Sequence, residues 1–434
     1  MKLWDKGTIG SAEVHAFTVG NDRETDRRLA PFDVVASLAH CRMLTQIGLL
    51  TAAEFTQLEN GLNRLSNEVQ QPDFSIPESF EDIHSYLEFK LTEWYGETGK
   101  KVHTARSRND QVLTALQLYL KHELTVLQTN ISDLGLLLCD KATIHQSDFI
   151  PGYTHTQVAM PSSIGMWLSA YAECLADDLL LIKSAYQLAD QNPLGTAAGY
   201  GSTFGIDRVF TTEQMDFSML KINPISAQLN RGKLEQTVAF ALSQVGMTLG
   251  KLANDCVWML CQNTAFIAFP ETLTTGSSIM PHKKNPDVFE LVRAKANQLS
   301  AIPTEIGAIS RNLISGYHRD FQLLKEPLFK AIDTTHSILD IMAFMVPQLI
   351  AQPLDFTEER YAGIFSVDQV ANLVQQGISF REAYITVGKQ VSSEAQTKPF
   401  PTTHIGSLDE LGIDLIRAKI KRVNQSSKDM GKTA

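Results

Sequence analysis

The run Gly276–Asp287 concentrates serine hydroxyls, one imidazole, two ammonium groups and an amide between a glycine and a proline. Ser277, Lys283 and Asn285 together offer the hydroxyl, cation and amide donor that a carboxylate or oxyanion needs around it. A glycine start and a proline stop suit a loop that closes and opens. A purely structural loop of small polar residues is the plain alternative, and its charge counts against it.

Three further polar segments interrupt helical patterning. His103–Gln111 holds Arg106 and Arg108 among hydroxyls and amides. Two guanidinium forks there make a carboxylate clamp; a solvated helix start capped by Asn109 or Asp110 fits equally well. Pro151–Gln157 places His155 between Thr154 and Thr156 just ahead of a long helix, either as an acid or base or as a buried, satisfied histidine. In Tyr317–Gln322, continued by Lys325, the side chains of Tyr317, Gln322 and Lys325 are able to hold a polar or anionic ligand, or simply to face solvent between helices. Glu290 follows the serine-containing loop by about one helical turn.

Each segment is weak alone; together on one scaffold they point to a site. Metal chemistry fits poorly, because the 11 histidines form no ligand-spaced pair in these segments. No cysteine stands in them either, which removes thiol chemistry. What remains suits proton abstraction next to a carboxylate followed by elimination, with no cofactor. A base takes the proton, cationic and amide donors hold the doubly charged intermediate, and an acid protonates the leaving group.

The elements that must position these groups read as helices. Lys2–Leu29 is charged and broken by glycines, and reads as an extended arm. Pro31 suits a first-turn position of the next helix, which Gly48 ends. Thr51 with Glu54 forms a capping box, and Ser79–Asp82 is a second cap-like start. Beyond Gln111, helical pattern runs to about His145. Proline is absent from 162–192, 225–269, 287–302 and 328–346, and the longer of these runs leave room for helices of about 25 residues, well above the usual length. Rods of that length bury stripes against one another as a bundle. Apolar residues on more than one face, as at 134–138, point to a bundle that is also a subunit interface. After Pro347 short elements at 357–362, 367–376 and 380–391 lead into a polar tail. The Gly199–Gly205 segment follows no strand and supports neither a dinucleotide fingerprint nor a phosphate loop. The expected organisation is all-α, with an N-terminal helical domain over 1–110, a central long-helix bundle over 111–350 and a small C-terminal helical domain over 351–434.

Composition sets outer limits. At 434 residues the chain exceeds one ordinary domain. A net charge of −10 argues against a generic nucleic-acid partner, which needs a basic stripe. The five scattered cysteines read as reduced core residues rather than a disulfide framework. Met1–Gly10 carries no apolar run of the secretory kind, and no apolar stretch is long enough to span a membrane. The cytoplasm is the expected compartment.

On the residues just quoted, with Asn192–Gly195 and Phe380–Ala383, the chain resembles the argininosuccinate lyases of the fumarase/aspartase superfamily. The serine loop alone is shared across the superfamily; the Arg106–Gln111 segment and the doubled lysine before Asn285 point to this branch. The resemblance implies a homotetramer around a helical bundle, with active sites shared between protomers. It implies reversible conversion of argininosuccinate to fumarate and arginine. Ser277 then looks like the base, Lys283 and Asn285 steady the intermediate, His155 serves the acid role, and Glu290 orients His155. Arg108, Asn109, Thr154, Tyr317, Gln322 and Lys325 look like substrate binders. Two places depart from the family pattern. The arm normally supplies a serine ahead of its aspartate, whereas Phe17–Asp26 has none and leaves Asp22 or Thr18 as substitutes. Leu229–Leu234 keeps Arg231 but loses the acids around it. An adenylosuccinate lyase-like enzyme and a non-catalytic structural homologue are the alternatives.

Overall fold

The computed structural model describes residues 11–390, except 353 and 362, and 401–429, except 403. The beginning of the predicted arm, Lys2–Gly10, and Val391 at the end of the third short C-terminal element lie outside the described residues.

Four long helices, Arg108–Ile144, Ile164–Ala189, Lys233–Met259 and Lys325–Met345, make most of the core with the shorter Asp287–Leu299. The first begins where its cap chemistry dictates. Ser107 and Asp110 form a capping box, so the cap lies ahead of Asn109 and Asp110, the two residues expected to cap it. Along this helix Leu116, Leu120, Leu124, Leu127, Ile131, Leu134 and Leu138 are all buried in one apolar cluster, with Leu168, Leu175, Leu242, Leu249 and Ile332 from its neighbours. Spacings of three and four residues put such a stripe on one helix face.

A second cluster, from Ala30 to Val102, is built by the helices Asp22–Gln46, Ala52–Val69 and Ile83–Tyr95. The Thr51–Glu54 capping box forms as the sequence indicates. The Asp22–Gln46 helix serves both clusters, since Leu29 belongs to the first and Ala30 to the second.

That helix corrects the reading of the arm. Residues 12–19 and 22–29 are helical, and Pro31 lies inside Asp22–Gln46 rather than at its first turn. The missing N–H leaves the carbonyl one turn earlier without its usual donor. The charged run continues as helix because Asp26 and Leu29 are buried against the bundle, a gain invisible to local polarity. The polar tail is a second correction. Ile413–Asp429 is a helix whose Ile413, Ile416, Ile420 and Val423 join the bundle core, a narrow stripe that the surrounding lysines and arginines obscured.

Among the described residues the longest β element is a hairpin, Phe149–Thr154 against Gln157–Ser163, with an irregularity between Pro151 and Tyr153. Gly152 sits there, and a Cβ on it would come 3.0 Å from the Met160 carbonyl oxygen.

Candidate active site

Arg108 and Asn109 open the longest helix, and Tyr317, Gln322 and Lys325 come from the turn that leads into Lys325–Met345. All five line one cleft of about 200 Å³, together with Asp22, Asp26, Glu81, Asp82, His84, Arg231 and Arg319. The two predicted substrate-binding segments therefore meet, although about 210 positions separate them.

Two cations of this cleft, Lys325 and Arg108, are already paired with carboxylates. Lys325, 5% exposed, places Nζ 2.6 Å from Asp22 Oδ1 and 2.7 Å from Asp26 Oδ1. Burial opposes its charge, but Asp26 and Asp22 outweigh burial and hold the ammonium above the ordinary lysine value. Burial in turn pushes the Asp22 carboxyl up to about 6. Arg108 donates to Glu81 (3.3 Å), Asp82 (3.1 Å) and Ser85 (2.9 Å). Asp82 has two roles, since it also caps the Ile83–Tyr95 helix by accepting from the Ser85 amide. Gln322 donates to the Thr18 and Val19 carbonyls, each at 3.0 Å, and so ties the cleft to the end of the first helix.

The paired-arginine clamp does not form. Arg108 lies in the cleft, but Arg106 is buried and donates to Ser37 Oγ at 2.9 Å, away from it. His103 beside them is kept neutral: burial, then Arg106 and Arg108, push its imidazole down to about 4. Asp110, buried behind this segment, accepts from the amides of Gly195 and Ala197 at 2.9 and 2.8 Å. The Asn192–Gly195 motif thus closes over the helix start.

Ser277, Lys283, Asn285 and Glu290 do not line this cleft. They stand on a separate, largely exposed loop and the first turn of Asp287–Leu299. The loop is pinched at its base, where the Asn285 N–H donates to the Thr275 carbonyl at 2.8 Å. The Asn285 side-chain amide donates to the Gly276 carbonyl at 3.2 Å, which fixes the amide beside Ser277. The Ser277 hydroxyl oxygen accepts from the amides of Met280 (3.2 Å) and Ile279 (3.4 Å). Donors aimed at that oxygen favour its anionic form over the neutral hydroxyl. Lys283 is exposed and makes no ion pair among the described residues, whereas Lys284 faces Glu271 at 3.6 Å.

Thr154 and His155 form a third group, at the tip of the hairpin, also outside the cleft. His155 and Thr156 have φ of 51° and 60°. Two positive-φ residues are what a tight two-residue hairpin turn demands, but glycine or asparagine ordinarily fills it. Holding a β-branched threonine there costs on the order of 1–3 kcal/mol, and such strain concentrates at functional sites. Within one chain no hydrogen bond or ion pair joins His155 to Glu290 among the described residues; the His155 ring is exposed.

Sequence reasoning missed the acidic side of the cleft. Glu81 and Asp82 were legible only as a helix cap, and Asp26 only as part of a charged run. Their Ser79–Asp82 and Asp22–Asp26 patterns signalled local structure, not the cation each one meets across the fold.

A family profile described as Lyase matches residues 13–300. Argininosuccinate lyases of Phocaeicola vulgatus and Parabacteroides distasonis are 43% and 44% identical over 424 residues, spanning 97% of this chain and 95% of each relative. The argininosuccinate lyase of Thermotoga neapolitana is 40% identical, over 91% of this chain and 99% of its own. The chain belongs to the argininosuccinate lyase family. Its fold is that of the fumarase/aspartase superfamily. A fumarate lyase:delta crystallin structure from Brucella melitensis aligns with a TM-score of 0.71 over 92% of this chain and 91% of that one, at 16% identity. An EDDS lyase variant with bound fumarate aligns at 0.67 over 88% of this chain and 76% of that one, at 25% identity. Among the described residues no helix is long and apolar enough to cross a membrane, and no group of histidine, cysteine and carboxylate side chains is placed to hold a metal ion.

Proposed function

We infer that the chain cleaves argininosuccinate reversibly to fumarate and L-arginine by general acid–base catalysis, in arginine biosynthesis. The Ser277 alkoxide removes a proton from the succinyl methylene carbon. The electron pair moves into the neighbouring carboxylate, and Lys283 and Asn285 steady the resulting dianion. The carbon–nitrogen bond then breaks and the leaving guanidino nitrogen takes a proton through His155, which Glu290 orients. Thr154, Arg108, Asn109, Tyr317, Gln322 and Lys325 hold the substrate. The observation that carries the choice of base is the pair of backbone N–H groups directed at the Ser277 oxygen.

The working form in this reading is a homotetramer with composite sites, in three domains divided at residues 110 and 350, in the cytoplasm. Its support is the separation of the site residues into a cleft, an exposed loop and a hairpin tip, none complete alone. Exposed Leu180 and Leu188 on one bundle helix and Phe240 and Met247 on another add apolar surface that a partner covers. The test follows fumarate by absorbance, with argininosuccinate and adenylosuccinate supplied separately. Fumarate released from argininosuccinate alone supports the reading; release from adenylosuccinate alone overturns it. A particle that sediments as a monomer at micromolar concentration overturns the tetramer.

A further inference from the structure

Asp110 is fully buried and takes no part in the chemistry. Its carboxylate nevertheless gathers three backbone amides from two parts of the chain. Oδ1 accepts from the Ser107 N–H at 2.9 Å. Oδ2 accepts from the N–H groups of Gly195 and Ala197, 85 and 87 positions further along, at 2.9 and 2.8 Å. Three donors on two oxygens call for the acceptor-only, ionised form of the side chain. The segment that supplies two of those donors is anchored on its other side. Asn192 accepts from the Leu194 N–H at 2.9 Å and donates to the hydroxyls of Thr211 and Thr212 at 3.1 and 2.9 Å. Arg208 Nε donates to the Leu194 carbonyl at 2.9 Å. Gly195 and Ala197 have φ of 86° and 50°, left-handed values that bring both amides onto one oxygen.

The two cleft residues just ahead of Asp110 differ in what else holds them. Arg108 is bonded across the fold to Glu81, Asp82 and Ser85. Asn109 has no such tether. Its half-buried side chain lines the cleft and makes no hydrogen bond among the described residues, while its N–H donates to Ser107 Oγ at 3.3 Å. The place of the Asn109 amide is therefore set by the helix start, where Ser107 and Asp110 form the capping box. We propose that Asp110 is a positioning residue that fixes Asn109 against the substrate, by locking the first turn of Arg108–Ile144 to the Gly195–Ala197 segment. The proposal rests on the reading of Asn109 as a substrate binder. A capping box closed only within its own helix leaves a first turn free to fray. Here the second oxygen of the same carboxylate is bonded to an anchored segment, so the turn moves only if those bonds break.

The experiment compares Asp110→Asn with the wild type in argininosuccinate cleavage, followed by fumarate absorbance, and in hydrogen–deuterium exchange. Asparagine keeps the volume but has one acceptor oxygen, so whichever amides it serves, its NH2 group opposes an N–H. KM rises roughly 10-fold, the low end for one hydrogen bond to a charged group. The turnover number stays within about 3-fold, because a misplaced binding group is lost from ground and transition states alike. In an Asn109→Ala background, itself raised in KM, the same substitution adds nothing. A purely structural Asp110 behaves otherwise: the yield of active enzyme and the denaturation midpoint fall while KM keeps its wild-type value. That result overturns the proposal, as does a KM effect that persists undiminished in Asn109→Ala. Where Asp110→Asn fails to fold, Ser107→Ala decides by the same two readouts, since it removes the other half of the capping box and leaves Asp110 in place; an unchanged KM there overturns the proposal too. Exchange separates the proposal from the reading beneath it. Deuterium uptake over residues 193–199 rises in Asp110→Asn, and uptake at the wild-type rate overturns the lock whatever the substrate. A wild type that releases no fumarate from argininosuccinate refutes the functional reading instead.

Discussion

The cleft at residues 108 and 317–325 and the serine loop at 276–287 carry similar residue types and are built in opposite ways. In the cleft Lys325 and Arg231 are buried and Arg108 is half-buried, and Lys325 is bonded across the fold to Asp22 and Asp26. On the loop the cations are exposed, Lys283 is unpaired among the described residues, and the contacts that shape the backbone are local. Charges fixed in a low-dielectric wall position a ligand and contribute to the fold. Charges on an exposed loop contribute little to stability and remain available to close over a substrate. Damage to the cleft should therefore appear in stability, and damage to the loop in rate.

The largest expected effect tests the loop. Ser277→Ala should lose about 3–6 kcal/mol of transition-state stabilisation, the scale of a lost proton-transfer group and its oriented donors, with the denaturation midpoint unchanged. Exchange of the succinyl methylene proton at the wild-type rate in this variant would refute the base assignment. Mixing inactive Ser277→Ala with inactive His155→Ala subunits should restore part of the activity, since some hybrid sites carry neither lesion. Absence of recovery in proven hybrids argues that loop and hairpin of one chain serve one site.

The converse test is Lys325→Met. It strands the Asp22 and Asp26 carboxylates without their cation and should cost about 3–5 kcal/mol of stability, read by chemical denaturation. A midpoint equal to that of Ser277→Ala would erase the contrast between the two regions.

A smaller effect comes from His84, which lines the cleft and faces Asp33 at 2.9 Å. Burial works to lower its pKa, yet the carboxylates of Asp33, Asp82 and Asp26 prevail and hold it above the ordinary histidine value. Its folded pKa is raised, so its contribution is fully present below about pH 6.5 and is lost as pH rises through the folded value. Stability should fall along that limb by at most about 1.4 kcal/mol per pH unit. In His84→Gln the thermal midpoint should lose this slope; a slope that persists unchanged assigns it to other groups. The smallest effect belongs to the loop again. Glu271→Gln removes the exposed partner of Lys284 and should shift stability by less than about 1 kcal/mol, measured by the same denaturation. A larger shift would mean that the loop is held by its charges after all.

Much of the molecule was legible from neighbouring residues alone. The Thr51–Glu54 box, the leucine stripe of Arg108–Ile144 and the four chemistry-bearing segments all follow from spacings of three or four positions, the range over which helix geometry and capping act. The same locality explains what was missed. Leu29 and Asp26 turn a charged arm into helix only because the bundle buries them, and the four apolar residues of Ile413–Asp429 are a stripe only once a groove receives them. The cleft is the clearest case. Arg106 and Arg108 are near neighbours and look equivalent, yet one is locked against Ser37 and the other opens onto the site. Lys325 looks like a free anion binder until Asp22 and Asp26, some 300 positions away, take up its charge. Residue type and spacing determined which chemistry the chain is able to carry. Pairing and burial, which depend on groups brought together from distant parts of the chain, were decided only by the tertiary structure.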